Sequence, residues 1–412
     1  MPESASTPVV VLNCFRHGGL AIVRSLGRLG APVYAVHPDR GSPAFFSRYC
    51  RERIIWDIDT AAPEASVRFL KELSGRIGRR AILIATGDLG AMFIADNAER
   101  LAEDYDFPAQ DRAMMHSLCS KQEMYYLAKK WNVPTPETVF PRSRTDIENF
   151  LETALFPVLL KPIKSGPSAS PMRRVETKDE LLRCYDSIED PSTANVMIQE
   201  YIPGGDEMTW TFNGYFDRHG ECDVAFTGGK LRNYPAYFGQ ASLGLCTHNE
   251  QVKSTTIEFM KAIGYRGPLD IGYRYDARDG RYKVNDINPR IGAMFRCFVG
   301  ANGMDVARAL YQDMTGQQVL PAVTQEGRKW IVEDRDWLSA LRYCRDGNLT
   351  LRGWRESLRG VRETSFISWD DPKPILGVFV MVAHAAWKGF KRFRRPTRAG
   401  QYRRIGKEWT VL

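Results

Sequence analysis

Residues 267–275 read Gly-Pro-Leu-Asp-Ile-Gly-Tyr-Arg-Tyr, and residues 281–290 read Arg-Tyr-Lys-Val-Asn-Asp-Ile-Asn-Pro-Arg. Both runs are typical of β-strands, and the five residues between them end in Asp-Gly, which is typical of a tight turn. The stretch therefore predicts a β-hairpin. Because side chains alternate between the two faces of a strand, Asp286, Asn288 and Arg290 are expected on one face.

The hairpin is expected to bring acidic groups together. A turn centred on Arg278 places Asp270 directly opposite Asp286. Like charges in such a pair destabilise the strands by about 0.2–1 kcal/mol unless something binds between them. Two carboxylates and the amide oxygen of Asn288 suit Mg²⁺, which takes a few protein oxygens together with substrate phosphates. On these residues alone, a solvated face on which Arg290 pairs with Asp286 explains the pattern equally well.

The N-terminal part of the chain predicts a parallel sheet. Apolar runs of strand length at 9–12, 32–36 and 81–85 alternate with amphipathic helical stretches. This alternation predicts a doubly wound α/β domain over about residues 8–115. The sequence 15–19, Phe-Arg-His-Gly-Gly, lacks the Gly-x-Gly-x-x-Gly spacing of a dinucleotide site, so a tight turn is the preferred interpretation.

The second strand of the hairpin also carries a family resemblance. Asp286-Ile-Asn288-Pro-Arg290 resembles the acid-x-Asn-x-Arg signature of the ATP-grasp superfamily. The resemblance implies that Asp286 and Asn288 hold magnesium against the phosphates of ATP and that Arg290 faces an acyl phosphate. The family places another metal-binding acid at the position of Gly272. Asp270, two residues earlier and on the same face, is the expected substitute.

Earlier blocks agree with the family in order and spacing. Lys121, followed by Val-Pro-Thr-Pro at 133–136, resembles the first phosphate-binding lysine, and the strand 156–162 resembles the one that carries the second lysine. Residues 164–166 stand where a glycine-rich loop is expected, and 199–207 resembles the segment that binds adenine and ribose. The nucleotide-binding residues implied by the resemblance are Lys121, Lys161, Ser165, Gly166, Gln199, Glu200, Tyr201, Ile202, Asp206 and Glu207.

A further motif narrows the expected reaction. Lys230-Leu-Arg232 precedes a loop that contains Pro235 and Gly239. In the D-aspartate ligase-like branch of the family, a similar Lys-x-Arg lies near the γ-phosphate and the acceptor. The resemblance therefore implies a carboxylate–amine ligase with Lys230, Arg232 and Arg290 as catalytic residues. Two exposed cations at a strand end are the alternative interpretation.

The resemblance, which spans about residues 8–318, implies an α/β protein with an α+β grasp. Its expected parts are a doubly wound N-terminal domain at 1–118, a small ATP-grasp subdomain at 119–195, a large subdomain with the metal site at 196–325 and a C-terminal extension at 326–412.

The expected reaction uses ATP and Mg²⁺, with Mn²⁺ as an alternative metal, to activate a carboxylate as an acyl phosphate and join it to an amine. The expected partners are thus two small molecules. A carboxylase and a catalytically inactive ATP-binding scaffold are the alternatives within the same fold. The sequence leaves the identity of both substrates and the oligomeric state open.

Charge and composition argue against several other classes of protein. The formal net charge is +8, but residues 388–407 hold nine basic and no acidic side chains, so nucleic-acid binding is not expected of the main body. The eight cysteines lack metal-site spacing, and no apolar run is long enough to span a membrane, which together predict a cytoplasmic protein.

The apolar run 375–387 before the basic cluster predicts either contact with an anionic membrane surface through residues 375–412 or ordinary core packing.

Overall fold

The N-terminal domain is a parallel sheet between two layers of helices, as predicted. The computed structural model describes residues 6–163, 172–186, 195–237 and 239–381 of the chain. The five strands follow the order β3-β2-β1-β4-β5, and all pairs are parallel. The elements of this domain are β1 (Val9–Leu12), α1 (Arg16–Gly27), β2 (Val33–Val36), β3 (Cys50–Ile54), α2 (Pro63–Ile77), β4 (Ala81–Ala85), α3 (Asp88–Asp96), α4 (Ala98–Leu101), β5 (Tyr105–Asp106) and α5 (Arg112–Cys119).

A small lobe follows, built on an antiparallel sheet with the strand order β6-β9-β7-β8. Its first helix begins at Lys121 because the Ser120 hydroxyl accepts a hydrogen bond from the backbone of Glu123 and caps the helix. The elements are α6 (Lys121–Lys130), β6 (Thr138–Val139), α7 (Arg144–Thr153), β7 (Val158–Pro162), β8 (Arg173–Val175), α8 (Lys178–Asp186) and β9 (Val196–Glu200).

The large lobe is a mixed sheet with the order β14-β13-β10-β11-β12-β15-β16. Two of these strands come from the C-terminal extension, so the extension continues the large sheet. The elements are β10 (Thr209–Phe216), β11 (Val224–Tyr234), β12 (Gln240–Cys246), α9 (Glu250–Ala262), β13 (Gly267–Asp276), β14 (Arg281–Asn288), α10 (Val306–Met314), β15 (Lys329–Ile331), α11 (Glu333–Arg345), α12 (Leu351–Ser357) and β16 (Val361–Thr364).

The N-terminal sheet and the large lobe share a hydrophobic core. Val9 and Val11 on one face of β1 pack in a cluster that includes Phe298 and Trp330. The opposite face of β1 packs in a separate cluster with α2. This shared core holds the carboxyl edge of the parallel sheet, where ligands of open α/β sheets usually bind, against the end of β14.

The described helices include none with the length and apolar character needed to cross a bilayer.

Candidate active site

The β13–β14 hairpin forms, but the expected register is wrong. Arg281 pairs with Asp276, one residue later than predicted, and a bulge at Asn285 shifts the pairing by one more residue. Asp270 consequently lies opposite Asn288, and Gly272 lies opposite Asp286. The two shifts add up to two residues, so the polar side chains still share one face of the hairpin.

Asp270 is half-buried, and its carboxylate has few partners among the described residues. The Thr211 hydroxyl donates to it over 3.3 Å. Burial raises its pKa, while Arg290 and Lys230 act in the opposite direction. A Cβ added to Gly292 would lie 2.5 Å from the Asp270 Cγ, so glycine is required where this segment passes the carboxylate. The site thus holds an acid that gains from a bound cation.

Asn288 and Arg290 form a hydrogen-bonded chain that crosses to the N-terminal domain. The Asn288 amide nitrogen donates to Asp286 over 3.2 Å, and Arg290 donates to the Asn288 amide oxygen over 2.9 Å. Arg290 also donates to Asp88 over 2.6 Å. The alternative in which Arg290 pairs with Asp286 is therefore not what the structure shows.

Two lysines from the small lobe face Asp286. Lys121 donates to the Pro162 carbonyl over 3.0 Å, and Lys161 donates to Gln199 over 2.5 Å. Burial lowers the pKa of Lys161 to about 8, and the neighbouring Lys121 adds to this effect, while Asp286 favours the charged form of both lysines. Among the described residues, neither ammonium group is in direct contact with a carboxylate, and two crowded cations of this kind suit a polyanionic ligand.

Lys230 and Arg232 are only two residues apart, yet the structure gives them different surroundings. Burial lowers the pKa of Lys230, and Asp270 and Asp286 oppose that shift, so this ammonium faces the acidic pair. Arg232 is 4% exposed and forms a bidentate ion pair with Asp336 on α11, with both distances near 2.9 Å. Its guanidinium lies in this ion pair, so the structure does not bring Arg232 into the group around Asp286, and its catalytic role stays a prediction.

A cleft of about 410 Å³ lies between the two lobes, beside Lys161. Most of the predicted nucleotide-binding residues line it, and Ser165 and Gly166 lie outside the described residues. Arg274 closes one side by donating to the carbonyls of Ile202 and Gly204. The predicted residues that line the cleft are Lys161, Gln199, Glu200, Tyr201, Ile202 and Asp206.

The acidic side chains of this segment have protein partners. Glu200 forms ion pairs with Arg278 and Lys283. Asp206 accepts hydrogen bonds from Asn233 and Tyr343. Glu207 is missing from the lining, and its carboxylate accepts from the Gly205 backbone over 3.0 Å. Asp206 therefore borders the cleft and Glu207 does not.

The sequence prediction missed Asp88, Gly292 and Arg274. Asp88 begins the helix after β4, and its position at the carboxyl edge of a parallel sheet was a usable signal. The role of Gly292 depends on a close approach to Asp270 that a single sequence does not reveal.

The donor set fits a hard divalent cation only in part. Across the described parts of the chain, no three His, Cys, Asp or Glu side chains are grouped as a metal cluster. Asp270, Asp286 and Asn288 offer two carboxylates and one amide. Mg²⁺ accepts so few protein ligands when substrate phosphates and water complete its octahedron. The residues thus fit magnesium that arrives with a nucleotide.

The chain is similar in sequence to a known ligase. No family model matches the chain. A D-aspartate ligase from Enterococcus faecium is 29% identical over 302 residues, which cover 69% of this chain and 71% of the ligase.

Solved structures extend the comparison to the fold. An N5-carboxyaminoimidazole synthetase from Staphylococcus aureus, complexed with ADP, has a TM-score of 0.61 and 14% identity, and the match covers 78% of this chain and 80% of the synthetase. An L-amino acid ligase from Bacillus licheniformis has a TM-score of 0.59 and 15% identity over 77% and 78% of the two chains. The biotin carboxylase domain of a 2-oxoglutarate carboxylase from Hydrogenobacter thermophilus, bound to MgADP and bicarbonate, has a TM-score of 0.59 and 15% identity over 78% and 73%.

Proposed function

This chain has the ATP-grasp fold of the carboxylate–amine ligases, and we propose that it forms an amide bond between a substrate carboxylate and an amine in an ATP-dependent reaction. The sequence similarity to a D-aspartate ligase supports this reaction over others in the fold.

The observation that carries the proposal is the convergence of three ammonium groups on one carboxylate. Lys121, Lys161 and Lys230 come from three separate segments, and Asp286 favours the charged form of each. A surplus of positive charge beside a 410 Å³ cleft suits the phosphates of ATP.

The proposed chemistry has two steps. An oxygen of the substrate carboxylate attacks the γ-phosphorus, the bond to the β-phosphate oxygen breaks, and ADP leaves. The amine then attacks the acyl carbon, phosphate leaves, and the amine nitrogen loses a proton. Phosphoryl transfer depends on position and charge neutralisation more than on covalent assistance, which agrees with a site built from lysines and an arginine.

Each residue has a proposed role. Lys121 and Lys161 bind phosphate oxygens, and Lys230 and Arg290 stabilise the negative charge that develops during transfer. Asp270, Asp286 and Asn288 hold magnesium, which neutralises phosphate charge when bound. Manganese is the proposed substitute.

The test is carboxylate- and amine-dependent release of ADP and phosphate from ATP. We expect turnover with a pair drawn from a panel of amino acids and small carboxylates, and loss of that turnover in Asp286→Asn. Asp279→Asn, at the exposed hairpin tip, is the matched control. Turnover with bicarbonate alone would favour a carboxylase, and ATP binding without turnover would favour an inactive scaffold.

We also propose that the C-terminal segment contacts an anionic membrane surface at the cytoplasmic face. Leu376, Phe379 and Val380 are 52%, 67% and 47% exposed at the start of this segment. Residues 382–412, with the basic cluster, lie outside the described residues. Phe379→Glu is expected to reduce flotation of the full chain with phosphatidylserine vesicles, while Leu351→Glu, on exposed α12, leaves flotation unchanged. Equal flotation of both variants would reject the contact.

A further inference from the structure

Helix α11, in the C-terminal extension, contacts β11 through one buried polar face. The side chains at 336, 339 and 343 are three and four residues apart, so they lie on one side of the helix, and they are 0%, 1% and 7% exposed. Asp336 pairs with Arg232, and the Ser339 hydroxyl donates to the Asn233 carbonyl. Tyr343, one turn further along α11, is the residue of this face that reaches toward the cleft between the lobes.

The Tyr343 hydroxyl joins two segments that border the cleft. It accepts a hydrogen bond from the Tyr237 backbone nitrogen over 3.0 Å and donates one to the Asp206 carboxylate. Burial raises the pKa of Tyr343, so the hydroxyl keeps its proton at neutral pH. Because a backbone N–H can only donate, the single hydroxyl proton is left for Asp206. The hydrogen bonds therefore have a fixed direction, from Tyr237 through Tyr343 to Asp206.

Asn233 makes a second contact with the Asp206 carboxylate. Its amide nitrogen donates to the other carboxylate oxygen over 2.7 Å. Because an ionised carboxylate only accepts hydrogen bonds, this contact fixes the orientation of the amide group. The amide oxygen of Asn233 is then buried with no hydrogen-bond partner among the described residues.

Asp206 is thus held by two neutral donors and keeps capacity for a ligand. In the described parts of the chain it has no cationic side chain within 4.0 Å, whereas Glu200 forms ion pairs with Arg278 and Lys283. Each oxygen of a carboxylate can accept about two hydrogen bonds, and the protein supplies one to each. The remaining capacity, together with the unpaired oxygen of Asn233, suits a ligand that donates hydrogen bonds, as the hydroxyl groups of a nucleotide do.

The turn between β11 and β12 is fixed to the same helix. The rings of Tyr237 and Tyr343 lie 4.5 Å apart between their centres. The Tyr237 hydroxyl donates to Asp346 over 3.0 Å and accepts from Asn348 over 2.8 Å. Tyr237 has a φ of +72°, in the left-handed region that non-glycine residues seldom occupy and keep only where surrounding contacts enforce it. Since Tyr237 lines the cleft, α11 holds part of the cleft wall in place.

We propose that Tyr343 is a positioning residue for the nucleotide, because it holds the Asp206 carboxylate at the wall of the cleft. The sequence resemblance to ATP-grasp proteins ends near residue 318, so this contribution comes from the C-terminal extension. The inference rests on the proposed use of ATP, but it concerns binding and can be measured without turnover.

The competing explanation is that Tyr343 only anchors α11 on β11, and the chain offers a matched control for it. Tyr215 on β10 is also buried, and its hydroxyl donates to Asp313 over 2.7 Å. Neither Tyr215 nor Asp313 is among the residues that line the cleft. Tyr215→Phe and Tyr343→Phe therefore remove the same kind of hydrogen bond, but only Asp206 is placed to meet a nucleotide.

The experiment is isothermal titration of the full chain, with Mg²⁺ present, using ADP and tripolyphosphate, which has three linked phosphates but no sugar or base. Because hydrogen bonds to charged groups are among the stronger ones, we expect Tyr343→Phe to lower the affinity for ADP at least about fivefold. Its affinity for tripolyphosphate, and the affinity of Tyr215→Phe for both ligands, should stay within about twofold of wild type. Thermal melting checks that each variant is folded. If Tyr343→Phe is not, Asp206→Ala tests the same contact and should likewise lose affinity for ADP alone.

A double-mutant cycle tests whether Tyr343 acts through Asp206. In the Asp206→Ala background, Tyr343→Phe should lower the affinity for ADP by less than about twofold further. Three results would overturn the proposal. They are unchanged ADP affinity in Tyr343→Phe or Asp206→Ala, an equal loss for ADP and tripolyphosphate, and a full further loss in the Asp206→Ala background, which would assign the effect to the turn at Tyr237 or to the packing of α11.

The outcome for this inference can be told apart from that for the ligase function. A chain that binds ADP through Tyr343 and Asp206 but never releases ADP from ATP would refute only the ligase function. A chain that ligates its substrates, with the same ADP affinity in Tyr343→Phe as in wild type, would refute only the role of Tyr343. A wild-type chain that binds no ADP would refute both.

Discussion

The two ends of the β13–β14 hairpin use carboxylates in opposite ways. At the turn, Asp276 accepts hydrogen bonds from Arg278 over 2.8 Å and from Lys283 over 2.7 Å. The hydrogen bond from Arg278 is the largest reason why the pKa of Asp276 lies well below its usual range. At the other end, Asp270 is half-buried, and the burial of its carboxylate raises its pKa.

The contrast separates groups that stabilise the fold from groups available to a ligand. Asp276 has two cationic partners in direct contact, and Glu200 shares both of them. For Asp270, the described residues supply a threonine hydroxyl and no ion pair. A carboxylate kept buried without direct compensation is costly, so its retention indicates a function.

The largest predicted difference is between Asp270→Asn and Asp276→Asn. We expect Asp270→Asn to lower kcat at least about 100-fold, because the magnesium ion that neutralises the phosphate charge would lose one of its protein ligands. Its melting temperature should stay equal or rise, since a carboxylate with a raised pKa destabilises the folded state above that pKa. Asp276→Asn should lose about 3 kcal/mol of unfolding free energy, the cost of breaking a buried ion pair, with kcat within a few-fold of wild type.

ADP release and urea unfolding measure the two quantities separately. The comparison between the two ends of the hairpin fails if Asp270→Asn is strongly destabilised while Asp276→Asn is the variant that loses turnover.

A similar contrast exists within β11, at Lys230 and Arg232. Lys230→Met is expected to lower kcat/KM about 10–100-fold by removing a charge that stabilises the transferred phosphoryl group. Arg232→Met is expected to lose about 3–5 kcal/mol of stability, because Asp336, which is 0% exposed, would keep a buried and unpaired charge. Steady-state kinetics and denaturant unfolding of both variants test this. If the Arg232→Met chain is folded but turns over more slowly, the result would instead support the predicted catalytic role of Arg232.

The secondary-structure elements, and the strand face that carries the site, could be predicted from the sequence more accurately than the side-chain contacts. The polar face of β14 follows from alternation alone, and it survived a register error of two residues because two is the period of a strand. The bulge at Asn285 depends on how both strands twist and pack, which local sequence does not determine. The ion pair of Arg232 could not be predicted, because its partner, Asp336, lies more than 100 residues away.

The N-terminal domain shows the same limit. Its alternating pattern predicted the parallel sheet, but the contact between Asp88 and Arg290 joins residues 202 positions apart. Such pairs arise from packing of whole domains, so motif spacing gives no account of them.

Gly272→Asp tests whether Asp270 replaces the acid that ATP-grasp proteins usually place at that position. A Cβ at Gly272 meets nothing nearer than the Asp286 Cβ at 3.9 Å, so a carboxylate has room. In the Asp270→Asn background, Gly272→Asp is expected to recover at least about tenfold in kcat by returning a second acid to the same face. Gly272→Asn in the same background is the uncharged control. Equal rates for the two double variants would show that Asp270 does not act through a metal.

The smallest predicted effect is a pH dependence of ATP binding through Lys161. Its pKa is lowered by burial to about 8, so in the free protein the ammonium loses its proton as pH rises through that value. Because bound phosphates keep Lys161 protonated, we expect the Kd for ATP to rise about fourfold between pH 7.0 and 8.5. In the same range, the protein takes up a proton when ATP binds. Titration calorimetry in buffers of different ionisation enthalpy measures both. Lys161→Met should bind ATP more weakly and lose this dependence. If the variant retains the dependence, another group, such as Lys121, carries the titration.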